Sequence, residues 1–331
     1  MRAALGALSI AVGIAMASPS FAADVPPPLS IEAKIPLGAV KGRIDHMAMD
    51  AARQRLFVAE LGNDSVGVVD LATRQLLRRI TGLKEPQGVG YVAATDTLYV
   101  ANAGDGTVRL FAGPDLAPAG QIDLGSDADN IRVDPAANHV LVGHGGGALA
   151  VIDAMARRKI ADIALAAHPE SFHLDAAGKR AFVNLPDAGA IAVVDLEAGS
   201  VAVMIPLRAA RANFPMALDR ARHRLLVVTR RPAKLLAFGL ADNALQASLD
   251  TCGDADDVFV DDRRQRVYVS CGDGVIDVFA SQDSGDARIA RIPTVSGART
   301  SFFDPRSDRL FVAVRAASGE VAAIWVFRPV P

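Results

Sequence analysis

One short phrase returns along the chain at nearly constant spacing, and that recurrence restricts the fold more than any other property of the sequence. It reads MAMDAARQRLFVAE from residue 47, IRVDPAANHVLVGH from 131 and FHLDAAGKRAFVNL from 172, then MALDRARHRLLVVT, VFVDDRRQRVYVSC and SFFDPRSDRLFVAV from 216, 258 and 301. Each copy is an alternating apolar stretch, a polar turn and a run of β-branched or aromatic residues, the pattern of two antiparallel strands joined by a hairpin. The turn opens on Asp50, Asp134, Asp175, Asp219, Asp261 and Asp304, with Val92 in that place in GYVAATDTLYVAN. Asp suits a turn because its carboxylate accepts backbone N–H bonds two residues on. From Asp50 to Asp304 the six intervals average about 42 residues.

The second half of each unit is equally regular. Small-residue turns lead into a third strand in LGNDSVGVVD, NAGDGTVRLF, PDAGAIAVVD and CGDGVIDVFA, and a fourth follows in LLRRITGL, PAGQIDLGS, KIADIALAA and VAVMIPLRA. Four antiparallel strands in each of seven units predict an all-β, seven-bladed β-propeller built as one domain over residues 23–331. The last unit lacks a fourth strand, and SIEAKIPLG from Ser30 resembles a fourth strand without a unit. The N-terminal strand is therefore expected to complete blade seven and remove two exposed sheet edges.

Ahead of the repeats, one positive charge at Arg2 precedes an apolar run from Ala3 to Met16 and the small residues of Ser20-Phe21-Ala22. This is the pattern of a signal peptide cleaved after Ala22, and it predicts export to the periplasm. The run is too short to span a bilayer, and no Cys follows it to carry a lipid anchor. With 35 basic and 37 acidic side chains, the chain carries no cationic excess to neutralise phosphates, which argues against nucleic acid. Its 51% hydrophobic content excludes a disordered chain. The expectation is a monomer without a membrane span, meeting a small molecule or an envelope protein.

The phrases LFVAELGNDSVGVVD and LYVANAGDGTVRLF resemble those of the YVTN-repeat propellers, and among them the periplasmic YncE-like proteins. The pattern departs in blade three, GHGGGALAVID, and in blade five, VVTRRPAKLLAFG. The resemblance implies that the first strand of each blade lines a central channel and starts at one of its mouths. It also implies surface association or nucleic-acid binding, as described for various members, although the single Trp325 and the charge balance weigh against the latter.

Residues one and three before the turn Asp are apolar nearly throughout, as blade packing requires. Five before it stand Asp45, Gln87, Asp129, Glu170, Phe214, Asp256 and Arg299, with His46, Glu85, Asp127, Asn130, His168, Asn213, Asp254 and Asp257 beside them. On one reading these groups end strands, cap loops and hydrate the channel. On the other they form a ligand site at the mouth, since crowded carboxylates call for a cation, a basic partner or raised pKa values. A divalent metal would take Glu170, Asp256 and His168: oxygen ligands alone favour Ca²⁺ or Mg²⁺, and an imidazole shifts the choice toward Zn²⁺. Arg43, Arg211, Arg299 and the pair Arg230-Arg231 could clamp an anion. His139 and His223 belong near the opposite face, His173 lies inside a strand, and His144 is a secondary candidate.

The hairpin of blade six brings Cys252 and Cys271 to one end, which in an oxidising compartment predicts a disulfide; free thiols acting as soft metal ligands are the alternative. The sequence contains no G-x-S-x-G, H-E-x-x-H, phosphate loop or C-x-x-C-H, and Gly145-Gly146-Gly147 opens no helix. Two functions fit. The first is a non-enzymatic propeller binding a small ligand or protein at the mouth. The second is a metal-dependent hydrolase or lyase of lactonase type, with the cation on Glu170, Asp256 and Asn213 and the proton moved by Asp129 or His168.

Overall fold

The computed structural model describes residues 26–175, 178–282, 285–317 and 319–331. The expected signal peptide, residues 1–22, lies outside the described residues. Seven four-stranded antiparallel sheets form a ring, each sheet in simple sequential order except the last. The innermost strands are Met47–Asp50, Pro86–Val92, Ile131–Asp134, Phe172–Leu174, Arg211–Asp219, Ala255–Asp261 and Ser301–Asp304. The alternation and turn chemistry of the repeats account for these sheets directly. In blade one, Met47 pairs with Val58 and Asp50 with Arg55 across the hairpin, so the turn Asp lies where the first strand reverses.

Blade seven is completed by the N-terminal strand Leu29–Pro36, which pairs antiparallel with Ala323–Pro329 and becomes the outer edge of that sheet. Among the described residues no helix is long and apolar enough to cross a membrane.

The core is divided among the junctions. Each of the seven apolar clusters straddles two neighbouring blades: Ile35, Phe311 and Ile324 of blade seven pack with Leu56 and Val58 of blade one, and Phe182 and Ile191 of blade four pack with Met216 and Phe238 of blade five. A lone blade would leave both of its apolar faces in water, so the hydrophobic driving force acts on the ring as a whole. Second strands are buried throughout, as in Arg55–Glu60, whereas outer strands such as Gln75–Thr81 are mostly exposed.

The turn Asp does more than the local chemistry requires. Asp50, fully buried, accepts the Arg53 backbone N–H at 3.1 Å and is gripped by Arg55 through Nε at 3.2 Å and Nη2 at 2.9 Å. The same five-residue pairing recurs between Asp175 and Arg180 and between Asp219 and Arg224. Four residues after the turn position, Gln54, Asp96, Asn138, His223, Gln265 and Asp308 all take a left-handed backbone with φ between 45° and 57°. His223 is thus a turn residue on the face opposite the mouth, as expected from the sequence.

Candidate functional site: the channel mouth

The seven positions five residues before the turn do converge. Six of them, Gln87, Asp129, Glu170, Phe214, Asp256 and Arg299, surround a basin of about 270 Å³ together with Arg43, Asp127, His168 and Arg230. The seventh, Asp45, sits behind Arg43, almost fully buried, with its Oδ2 2.6 Å from the Arg43 Nη2. Arg43 also donates to the Gln87 Oε1 at 3.4 Å, joining blades one and two across the rim.

The basin has two unlike sides. On the side of blades five, six and seven, Asp256 receives Arg230 Nη2 at 2.6 Å and Arg299 Nε at 3.2 Å, and Asp254 receives Arg299 Nη1 at 2.6 Å. The Arg230 guanidinium stacks 3.8 Å from the centre of the Phe214 ring, which fixes its plane and leaves an edge toward the basin. Burial pushes the Asp256 carboxyl up, but Arg299 and Arg230 outweigh it and hold the group below its ordinary value.

On the side of blades three and four the acids outnumber the cations. His168 Nδ1 donates to the Gly145 carbonyl at 2.6 Å, and its Nε2 lies 3.8 Å from Asp129. Asp129, supported against burial by Gly145 and Asp127, raises the His168 pKa to about 9, so the ring is an imidazolium at neutral pH. Burial, reinforced by Asp129 and opposed by His168, raises Glu170 to about 7. Asp45 rises to about 6 through burial, against His46 and Arg43.

Beneath the basin lies a hollow of about 300 Å³ whose walls come from the innermost strands. His46 and Asp257 stand at its upper end. Asp257 accepts the Ser301 backbone N–H at 2.7 Å, and burial raises it to about 7 despite His46. Burial works to lower the His46 pKa, yet Asp45 and Asp257 raise it on balance. Asn130 is buried beside them, with its Oδ1 accepting from Arg132 Nη1 at 3.4 Å.

Four expectations need correction. Asn213 does not face the basin: it is fully buried and donates to the Asn184 Oδ1 at 2.8 Å and the Ala190 carbonyl at 3.0 Å, tying blade five to blade four. Phe214, at the repeat position of Asp129 and Glu170, faces the mouth instead. His144 is buried against Asp162 of its outer strand, at 2.9 Å, and belongs to blade packing. Asp256 is bound to arginines, and among the described residues the three groups whose ligand atoms come within 4.8 Å of one another are Asp129, His168 and Glu170. Arg211 and Arg231 are exposed and do not line the basin. Cys252 and Cys271 are joined in a disulfide with their Cα atoms 5.9 Å apart.

Two channel residues escaped the sequence reading. Two positions before the turn the repeats carry Ala48, Gly90, Arg132, His173, Ala217, Phe259 and Phe302, and the structure turns nearly all of these into the channel. Arg132 and His173 depart from the small or aromatic residues there, and that departure was the available signal. Burial, aided by Arg132, drops the His173 pKa to about 3, so this ring is neutral.

No family model matches the sequence, and no curated protein does. Among solved structures, the chain is similar to Kuenenia stuttgartiensis hydrazine synthase, with TM-score 0.74 and 17% identity over 83% of this chain and 94% of that one. It is also similar to a chain of a mitotic checkpoint complex, with TM-score 0.77 and 13% identity over 97% of this chain and 99% of that one. At such identities the likeness establishes the seven-bladed propeller fold alone, a scaffold compatible with ligand or protein binding.

Proposed function

We propose that this chain is an exported, monomeric propeller of the YVTN-repeat, YncE-like kind that binds a small polar molecule at the channel mouth without transforming it. The observation that carries the reading is the basin of about 270 Å³ where Arg43, Arg230 and Arg299 face Asp129, His168 and Glu170. Architecture requires only that strands end there. It does not require ten polar or aromatic groups from all seven blades around one space, several with raised pKa values. The volume suits a compact molecule, and an envelope protein could use the same basin by inserting one side chain.

The metal-dependent hydrolase is the weaker reading. Asp129, His168 and Glu170 are close enough to share a cation. Yet His168 donates through Nδ1 to Gly145 and holds its second proton to about pH 9, so ligation would have to displace that proton beside Asp129.

The test is a melting-temperature screen of protein purified without chelator against divalent ions and sugar acids, paired with metal analysis. A stabilising compound should lose its effect in the triple variant Asp45→Ala, Glu170→Ala, Asp256→Ala. A shift that survives the triple variant removes the mouth from consideration, whereas stoichiometric metal with turnover abolished by Glu170→Gln would establish the hydrolase.

A further inference from the structure

On the face opposite the mouth, three of the seven blade junctions are latched by a side chain three residues after the turn position. Arg53 of blade one reaches Asp96 of blade two with Nη1 at 2.9 Å and Nη2 at 2.7 Å. Arg264 of blade six grips Asp308 of blade seven at 2.7 Å through both nitrogens, and Arg222 of blade five donates to Gln265 of blade six at 3.0 Å. In every case the acceptor occupies the left-handed position four residues after the next blade's turn. Where the ring closes, between blades seven and one, those two places hold Ser307 and Gln54. Neither can supply a bidentate guanidinium–carboxylate pair.

At this unlatched junction lies a cavity of about 650 Å³ that both residues line. Its floor is apolar: Ile35, Met49, Leu71, Phe311 and Val326. Its rim is cationic. Arg74 and Arg309 flank Glu32 at 2.6 Å and 2.5 Å, and Arg306, exposed, has no ion pair among the described residues. Asp304, the other acid present, is committed to the turn, accepting the backbone N–H groups of Arg306 at 3.3 Å and Ser307 at 2.9 Å. The junctions between blades two and three, three and four, and four and five also lack an Arg latch, with Thr95 and Asn138, Ala137 and Lys179, and Gly178 and His223 in the two places; the hollow at the first of them is about 270 Å³.

We infer that the cavity at the ring-closing junction is a second binding site, for an amphipathic organic acid whose apolar body enters between the blades while its carboxylate meets Arg306 at the rim. The size lies within the range of small-molecule sites, where an apolar lining supplies affinity and a few polar groups supply orientation. The three arginines outnumber the two acids, one of which is spent on the turn, so the charge favours an anion over a cation. The space lies between two blades rather than on a flat surface, which favours a single free molecule over a lipid bilayer.

The probe is decanoate below its micelle concentration, compared with decyltrimethylammonium, by calorimetry and thermal unfolding of the mature chain. Decanoate should bind and raise the melting temperature, and the cation should do neither. Installing the Arg–Asp latch of the junctions between blades one and two and between six and seven, Ser307→Arg with Gln54→Asp, should weaken decanoate at least about tenfold while keeping the unliganded melting temperature at or above that of the parent. Arg306→Glu should weaken it comparably, which keeps the question decidable if the latch variant fails to fold. Glu170→Gln, in the mouth, should leave decanoate binding unchanged. Equal binding of the cation, undiminished decanoate binding in both junction variants, or flotation of the protein with anionic phospholipid vesicles would overturn the inference.

Discussion

Replacing Glu170 with Gln should stabilise the protein, and only at the alkaline side of a defined window. Burial and Asp129 raise the carboxyl from 4.5 to about 7 in the folded chain. Between those values the folded state binds a proton that the unfolded state has released, so stability falls as pH rises through the window. At about 1.36 kcal/mol per pKa unit, the full separation corresponds to about 3 kcal/mol, of which the repulsion from Asp129 is one part. Gln keeps the shape and carries no charge at any pH. The variant should therefore match the parent near pH 4 and exceed it by about 2 kcal/mol at pH 8, where His168, raised to about 9, is still mostly protonated in both folded proteins. Differential scanning calorimetry from pH 4 to 8.5 should show the two melting temperatures diverging by a few degrees. A difference that stays constant across that range, or a parent more stable at pH 8, would refute the account of Glu170 as a strained carboxylate.

Two further outcomes follow from the same side chains. Asp256→Asn leaves Arg230 and Arg299 facing each other with only Asp254 between them, and should cost about 2 to 3 kcal/mol in urea unfolding; a loss below about 0.5 kcal/mol would mean that Asp254 suffices. Replacing Cys252 and Cys271 together by Ala opens a loop of 19 residues and should cost about 3 kcal/mol by loop entropy. Alkylation of native thiols without prior reductant would show the bridge to be absent.

The ring was readable because its signals are local. Period-two alternation, an Asp at each turn and small residues at the second hairpin recur within every 42-residue unit, and their agreement leaves one architecture. The convergence of Asp129, Glu170 and Asp256 was readable by comparing equivalent positions, since strands of one ring place equivalent residues at equal depth. What failed was anything set by a neighbouring blade. Asn213 stands beside the mouth position in the sequence, and nothing local reveals that its amide turns away to Asn184 and Ala190 of blade four. The charge of His168 depends on Asp129 and then on the Gly145 carbonyl, 39 and 23 positions earlier in the preceding blade. Likewise the latch from Arg53 to Asp96 is invisible until two blades are set side by side.

The strand Leu29–Pro36 finds its partner almost 300 residues later, in Ala323–Pro329. During synthesis it must wait as an unpaired edge while six complete blades assemble between it and its mate. Joining the ends of so long a segment costs only about 2 kcal/mol more in loop entropy than closing one blade, because the cost grows with the logarithm of length. The delay is thus a matter of timing more than of energy, and the ring behaves as a belt whose buckle is made first and fastened last.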